Sequence, residues 1–214
     1  IQSALFTLLA VYAASMNFSI FEISFVTFLL AISGAVSQFP IGKLSDIYDR
    51  RMVIVIVTFG AAIFSICCIF SVGLMYLPEG HATTKNWFFL FLTLFSFCSL
   101  PMFSLILAHT NDYIPKEKFV SAGAGLQFAF GLGAMSGPLL CSIFMNAVGE
   151  NGFFIFLFLF HTVIGIFGVY RMKIRDTVDN PDSQFVAMPQ TITPAGIELN
   201  PTTEPIEEPI QNKT

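Results

Sequence analysis

Charged residues are scarce in this chain. Asp, Glu, Lys and Arg make up 11% of its 214 residues, while apolar residues make up 55%; soluble domains carry about 25% charge. A water-soluble fold of this length cannot hide so much apolar surface in one core, but lipid can solvate it. Mean hydropathy is +0.74. The long apolar runs contain essentially no charged residue, which weighs against a proton-relay carboxylate within them. Cysteine is sparse too. Cys67, Cys68, Cys98 and Cys141 all lie inside apolar runs, none at metal-ligand spacing, and read as small buried hydrophobes. No metal and no cofactor is expected. No nucleophile, base and orienting group recur at a defined spacing, so the chain is not expected to be an enzyme. The net charge of −4 falls mostly in the C-terminal stretch, and no basic patch calls for a nucleic-acid partner. There is no initiator Met and no charged leader segment before the first apolar run. The chain is therefore expected to be a fragment with a truncated first helix.

What is present is a series of apolar runs. A helix needs about 20 apolar residues to cross about 30 Å of hydrocarbon. The runs are Ile1 to about Ser15, Ile23 to Ile41, Met52 to Leu77, Trp87 to about Ala108, Phe119 to Val148 and Phe153 to Tyr170. In lipid, backbone polar groups must be satisfied within the segment, so all six are expected to be helices. Short alternating segments of the kind that build a membrane β-barrel are absent. The fold class is therefore all-α and integral to the membrane, a six-helix bundle over residues 1–175.

Basic residues orient the bundle. Lys43, Arg50 and Arg51 follow the second run, Lys116 and Lys118 the fourth, and Arg171, Lys173 and Arg175 the sixth, whereas Lys85 stands alone on the other side. By the positive-inside rule the first group faces the cytoplasm, and the protein is expected in the cell (inner) membrane. The C-terminus is then cytoplasmic. Residues 176–214 are punctuated by six prolines and rich in Asp and Glu; such a tail is expected to be disordered, with a docking motif around "FVAMP" as an alternative.

The most specific segment is "GKLSDIYDRR", Gly42 to Arg51, expected as a charged loop. Gly42 permits close helix approach, and Asp46 can cap a neighbouring helix N-terminus. A plain positive-inside loop explains Arg50 and Arg51 but not the Gly-x-x-x-Asp spacing. In the fifth run, Gly133 and Gly137 share a helix face, and Pro138 removes a backbone hydrogen bond and is expected to kink the helix. His109, Asn111 and Asp112 cluster at the cytoplasmic end of the fourth run, as a gate or a loop-packing group. His161, within the sixth run, is expected to pack or to sit at an interface.

The segment resembles motif A of the major facilitator superfamily, Gly-x-Leu-x-Asp-x-x-Gly-Arg-Arg. Gly42, Leu44, Asp46, Arg50 and Arg51 match, and Asp49 stands where the family usually has Gly. The runs "SQFPIGKLSDIYDRR", "LPMFSLILAHTNDYIP", "GLGAMSGPLL" and "TPAGIELNP" are similar to the YcaD-like branch. "GLGAMSGPLL" also resembles the family's Gly-x-x-x-Gly-Pro signature. The resemblance implies a secondary transporter of a small solute working by alternating access. This chain would be its C-terminal half, since the fourth run lacks the Arg usual in the first half. It implies that the N-terminal six-helix half is the missing partner, beside the lipid bilayer and a small-molecule substrate. Asp46, Arg50 and Arg51 would form a cytoplasmic latch. The first, second, fourth and fifth runs would line the cavity, making Tyr12, Asn17, Ser33, Ser37, Gln38, Ser99 and Gln127 the polar cavity residues. A rival expectation is a non-transporting membrane sensor or scaffold that acts through the tail.

Overall fold

The structure is a computed structural model. It describes residues 1–75, 81–115, 118–174, 185 and 187, and for 75 and 81–83 the backbone alone. Among the described residues there are seven helices and no strand: α1 (Gln2–Ser15), α2 (Ile20–Ile47), α3 (Arg50–Met75), α4 (His81–Ser99), α5 (Met102–Asn111), α6 (Phe119–Val148) and α7 (Gly152–Ile174). Five rods are long and apolar enough to cross a membrane, with α4 and α5 joined in one of them, Thr84–Asn111. The remaining helix, α1, has 14 residues, about 21 Å at the α-helical rise. The expected disordered tail lies outside the described residues except at Phe185 and Ala187.

Helix ends follow local chemistry. Asn17 takes a positive φ of 58°, a conformation Asn tolerates, and stops α1. Two residues later a capping box opens α2. The Ser19 hydroxyl accepts the Glu22 N–H at 3.3 Å, and the Glu22 carboxylate accepts the Ser19 N–H at 2.7 Å. Gly149, at φ 81°, closes α6. The fourth run is not one helix. Pro101 has no N–H to donate, so the rod breaks at Leu100 and Pro101. The carbonyls of Ser99 and Leu100, left over at the break, accept the side-chain amide of Gln2 at 2.9 and 3.3 Å, as buried backbone oxygens require. The second run ends differently from expectation: Gly42 to Ile47 is the last part of α2, not a loop. Only Tyr48 and Asp49 separate α2 from α3.

Within the bundle, α3 packs mainly against α4 and α7, and α2 packs against α4. Small residues permit this. A Cβ on Gly60 would crowd Cys98 of α4, and one on Gly168 would crowd Val55 of α3. One core cluster is aromatic: the Tyr12 ring stacks on Phe153 with centroids 5.0 Å apart, and Phe154 packs edge-on to both. A second cluster, Ile41, Val53, Val57, Met102 and Leu105, sits at the end where α2 turns into α3. In contrast α6 packs mainly on α1 and α7, touches α5, and leaves Phe128, Leu132, Met135 and Leu139 exposed along one face.

Candidate functional site

The short α2–α3 turn places the matched motif at one end of the bundle. Asp46 lies on the last turn of α2, and Arg50 opens α3. The Arg50 guanidinium is buried, with 7% of its side chain exposed, and it donates to Asp46 Oδ1 at 3.0 Å and to both oxygens of Asp112 at 3.0 and 3.2 Å. Asp112 directly follows α5, so one guanidinium ties α2, α3 and α5 together. Two carboxylates on one planar donor fork is a strong, geometry-specific arrangement. Arg51 makes its ion pair with Asp49, at 3.0 Å. Asp49 also accepts the Arg51 backbone N–H at 3.0 Å and is the N-cap of α3. The capping aspartate of this turn is thus Asp49, the residue that departs from the family pattern, rather than Asp46. Burial pushes the Asp49 carboxyl up, but hydrogen bonds from the Arg51 guanidinium and N–H more than offset this and hold it below its usual value.

Beside this network, Phe185 returns to the bundle. Its backbone N–H donates to Asp46 Oδ1 at 2.8 Å. Its ring covers Gly42, where a Cβ would collide with it, and packs on the second core cluster. Leu44 is partly exposed. In the neighbouring group, the His109 ring meets Tyr113 edge-on at 5.0 Å, and Asn111 is buried with no partner for its Oδ1 among the described residues. Of His109, Asn111 and Asp112, the structure joins Asp112 to the motif.

Of the residues singled out for a cavity, Ser99 lines one beside His161, and the others lie elsewhere. Tyr12 is core, within the aromatic cluster. Asn17 is an exposed helix terminator. Ser37 donates to the Gly34 carbonyl of its own helix, and Ser33 reaches the Thr93 carbonyl of α4 at 2.6 Å. Gln38 and Gln127 each carry a buried Oε1 with no partner among the described residues. In α6, Gly137 presses on Ser3 of α1, where a Cβ would sit 2.8 Å from its hydroxyl oxygen; the Cβ position of Gly133 is open. Pro138 lies inside the helix.

A cavity of about 200 Å³ opens beside that glycine, lined by Gln2, Ser99, Phe103, Gly133 and His161. None of Tyr12, Asn17, Ser37, Gln38 or Gln127 lines it. His161 is fully buried. Its Nδ1 lies 2.7 Å from the Leu157 carbonyl, which can only accept, so the ring donates there; its Nε2 then accepts the Ser99 hydroxyl at 2.9 Å. Periodicity gave no warning of this pair, because Ser99 and His161 lie 62 positions apart.

The opposite end carries a simpler clasp. Lys85 Nζ lies 2.7 Å from Glu22 Oε1, bridging α4 and α2, and 5.0 Å from the centroid of the Phe18 ring. Among the described residues no group of His, Cys, Asp and Glu could hold a metal ion.

The family model described as Major Facilitator Superfamily matches residues 1–201. An uncharacterized MFS-type transporter of Yersinia enterocolitica is 24% identical over 185 residues, covering 86% of this chain and 43% of that protein. A counterpart in Yersinia pestis is 22% identical over the same length. The MFS-type transporter YfkF of Bacillus subtilis is 24% identical over 159 residues, covering 74% of this chain and 38% of that protein. The chain thus spans less than half the length of these relatives. No solved structure matches it.

Proposed function

Because the chain belongs to the major facilitator superfamily, we propose that it supplies the C-terminal six-helix half of a secondary active transporter in the YcaD-like branch, moving a small solute by alternating access. Transporters of this type rock two halves around a site near the midplane. The observation that carries the reading is the Arg50 network. It welds the ends of α2, α3 and α5 into one rigid corner, as a rocking half requires. The coverage of relatives, 43% of their length, supports a half-transporter. The basic residues gathered at this end support reading it as the cytoplasmic side of an inner membrane, with a cytoplasmic C-terminus. On this face Asp46, Arg50 and Arg51 form a latch that holds the other half in the outward-facing state. Gln38 and Gln127, whose amide oxygens have no partner among the described residues, are groups that would meet the solute or the other half.

Reading the coding DNA upstream of Ile1 tests the half-transporter claim. A frame that continues through about six more apolar spans is expected; a start codon within a helix length of Ile1 would contradict it. The latch claim predicts that Asp46→Asn, in the native-length chain, shifts the transporter inward and alters uptake in vesicles. Wild-type uptake with unchanged sidedness would overturn it.

A further inference from the structure

The seat formed by Gly42 and Asp46 is occupied, and its occupant comes from the tail. We propose that the C-terminal segment carrying Phe185 is a tethered ligand of this seat, competing there with the rest of the transporter; the competition, though not the docking, rests on the latch reading. Three observations converge. The Phe185 N–H takes Asp46 Oδ1 at 2.8 Å, the same oxygen that accepts from Arg50. The ring lies where Gly42 leaves no Cβ, so any larger residue would displace it. The ring also packs on the apolar cluster of Ile41, Val53, Val57, Met102 and Leu105. A backbone N–H presented to a carboxylate beside a glycine is what an incoming helix N-terminus would offer. The tail therefore uses the chemistry that the other half would use, and the Phe185 ring over Gly42 stands where a helix end would have to approach Asp46.

Reach is no obstacle. α7 ends at Ile174, and the eleven steps to Phe185 can span up to about 36 Å when extended. The site that receives the ring lies on the same end of the bundle as the α7 terminus, because Gly168, toward the C-terminal end of α7, lies against Val55 in the second turn of α3. Tethering makes the encounter intramolecular, so weak contacts suffice to populate it. Release of the tail leaves Asp46 free for the latch and favours the outward-facing state. Docking favours the inward-facing one.

The test places a photoreactive benzoylphenylalanine at position 185 of the native-length chain in membrane vesicles. Crosslinked peptides are then mapped by mass spectrometry. Crosslinks concentrated on 41–57 and 102–105 within one chain are expected. Gly42→Leu should cut them by on the order of tenfold, the scale set by burial of one large apolar side chain. Crosslinks that fall on lipid, on other chains or evenly over the sequence would overturn the proposal, as would a Gly42→Leu chain with undiminished crosslinks. Phe185→Ala adds the functional arm. It should lower cytoplasmic-side labelling of a cysteine at position 127, opposite in sign to Asp46→Asn. If Asp46→Asn moves labelling but Phe185→Ala does not, competition is overturned and the latch stands. If neither moves it while crosslinks persist, the latch reading fails and docking stands.

Discussion

The two ends of the bundle are both clasped by ion pairs, yet they are built differently. At the basic end Arg50 is shared between Asp46 and Asp112, and Arg51 and Asp49 pair alongside. The central guanidinium is almost completely buried, at 7% exposure, and Asp112 stands at 12%. At the other end Lys85 and Glu22 pair one to one, with side chains 30% and 24% exposed. A single pair in which both partners keep about a quarter to a third of their surface exposed, with no buried member like Arg50 at its centre, contributes little net energy. A buried network contributes little as a whole but costs much when one member is removed, because the remaining charges are left without compensation. The exposed clasp therefore acts as a local staple. The basic end responds sharply to any change in what meets its carboxylates, which is the property a conformational latch needs.

Substitutions can break or sharpen that contrast. The largest effect is expected for Arg50→Met, which leaves Asp46 and Asp112 facing each other. It should destabilise by about 3–5 kcal/mol, read as a large drop in the unfolding midpoint in detergent; a change below about 1 kcal/mol would deny the network its structural role. Ser99→Ala comes next. It strips the donor from His161 Nε2, and the unsatisfied buried nitrogen should cost about 1–3 kcal/mol in the same assay. Lys85→Met should cost about 0–1 kcal/mol, and a loss as great as that of Arg50→Met would erase the contrast between the ends. The smallest effect is a pH dependence from Asp49. Its folded carboxyl is held below its unfolded value of about 3.9, so its contribution is present above that pH and fades as pH falls through the folded value. Asp49→Asn keeps a capping oxygen but loses the charge and its ion pair with Arg51, so it should flatten this acid limb by lowering stability at pH 7 toward the value seen below the folded carboxyl's titration.

Much of the fold was legible because lipid leaves the chain few choices. Apolar runs of about 20 residues must be helices, and α6 falls on the expected Phe119–Val148. Helix ends were less legible. The run read as ending at Ile41 continues to Ile47, because hydropathy marks where the lipid ends, not where hydrogen bonding does. Pro101 broke a rod that composition reads as continuous, and the proline was visible while the Gln2 amide that satisfies the break was not. At the site, Asp46, Arg50 and Asp112 could each be singled out locally. Their union could not, since it joins positions 62 apart. Of the residues of the first, second, fourth and fifth runs expected to line a cavity, Ser99 lines the one beside His161, whereas Gln38 and Gln127 lie apart from it. Periodicity gives a face, but packing decides what that face meets. The covering of the faces makes the same point: 56% of the apolar window of the fourth span is buried, against 11% in the fifth, although both are equally plausible spans by sequence.

The most direct test of the difference between the two ends is sidedness labelling of a cysteine at position 127. It uses the native-length chain with Cys67, Cys68, Cys98 and Cys141 replaced by alanine, and membrane-impermeant reagents applied to each face in turn. Asp46→Asn should raise cytoplasmic-side labelling relative to the opposite face, and Lys85→Met should leave the ratio unchanged. Equal responses from both substitutions, or a ratio that Asp46→Asn does not move, would contradict the assignment of the latch to the basic end.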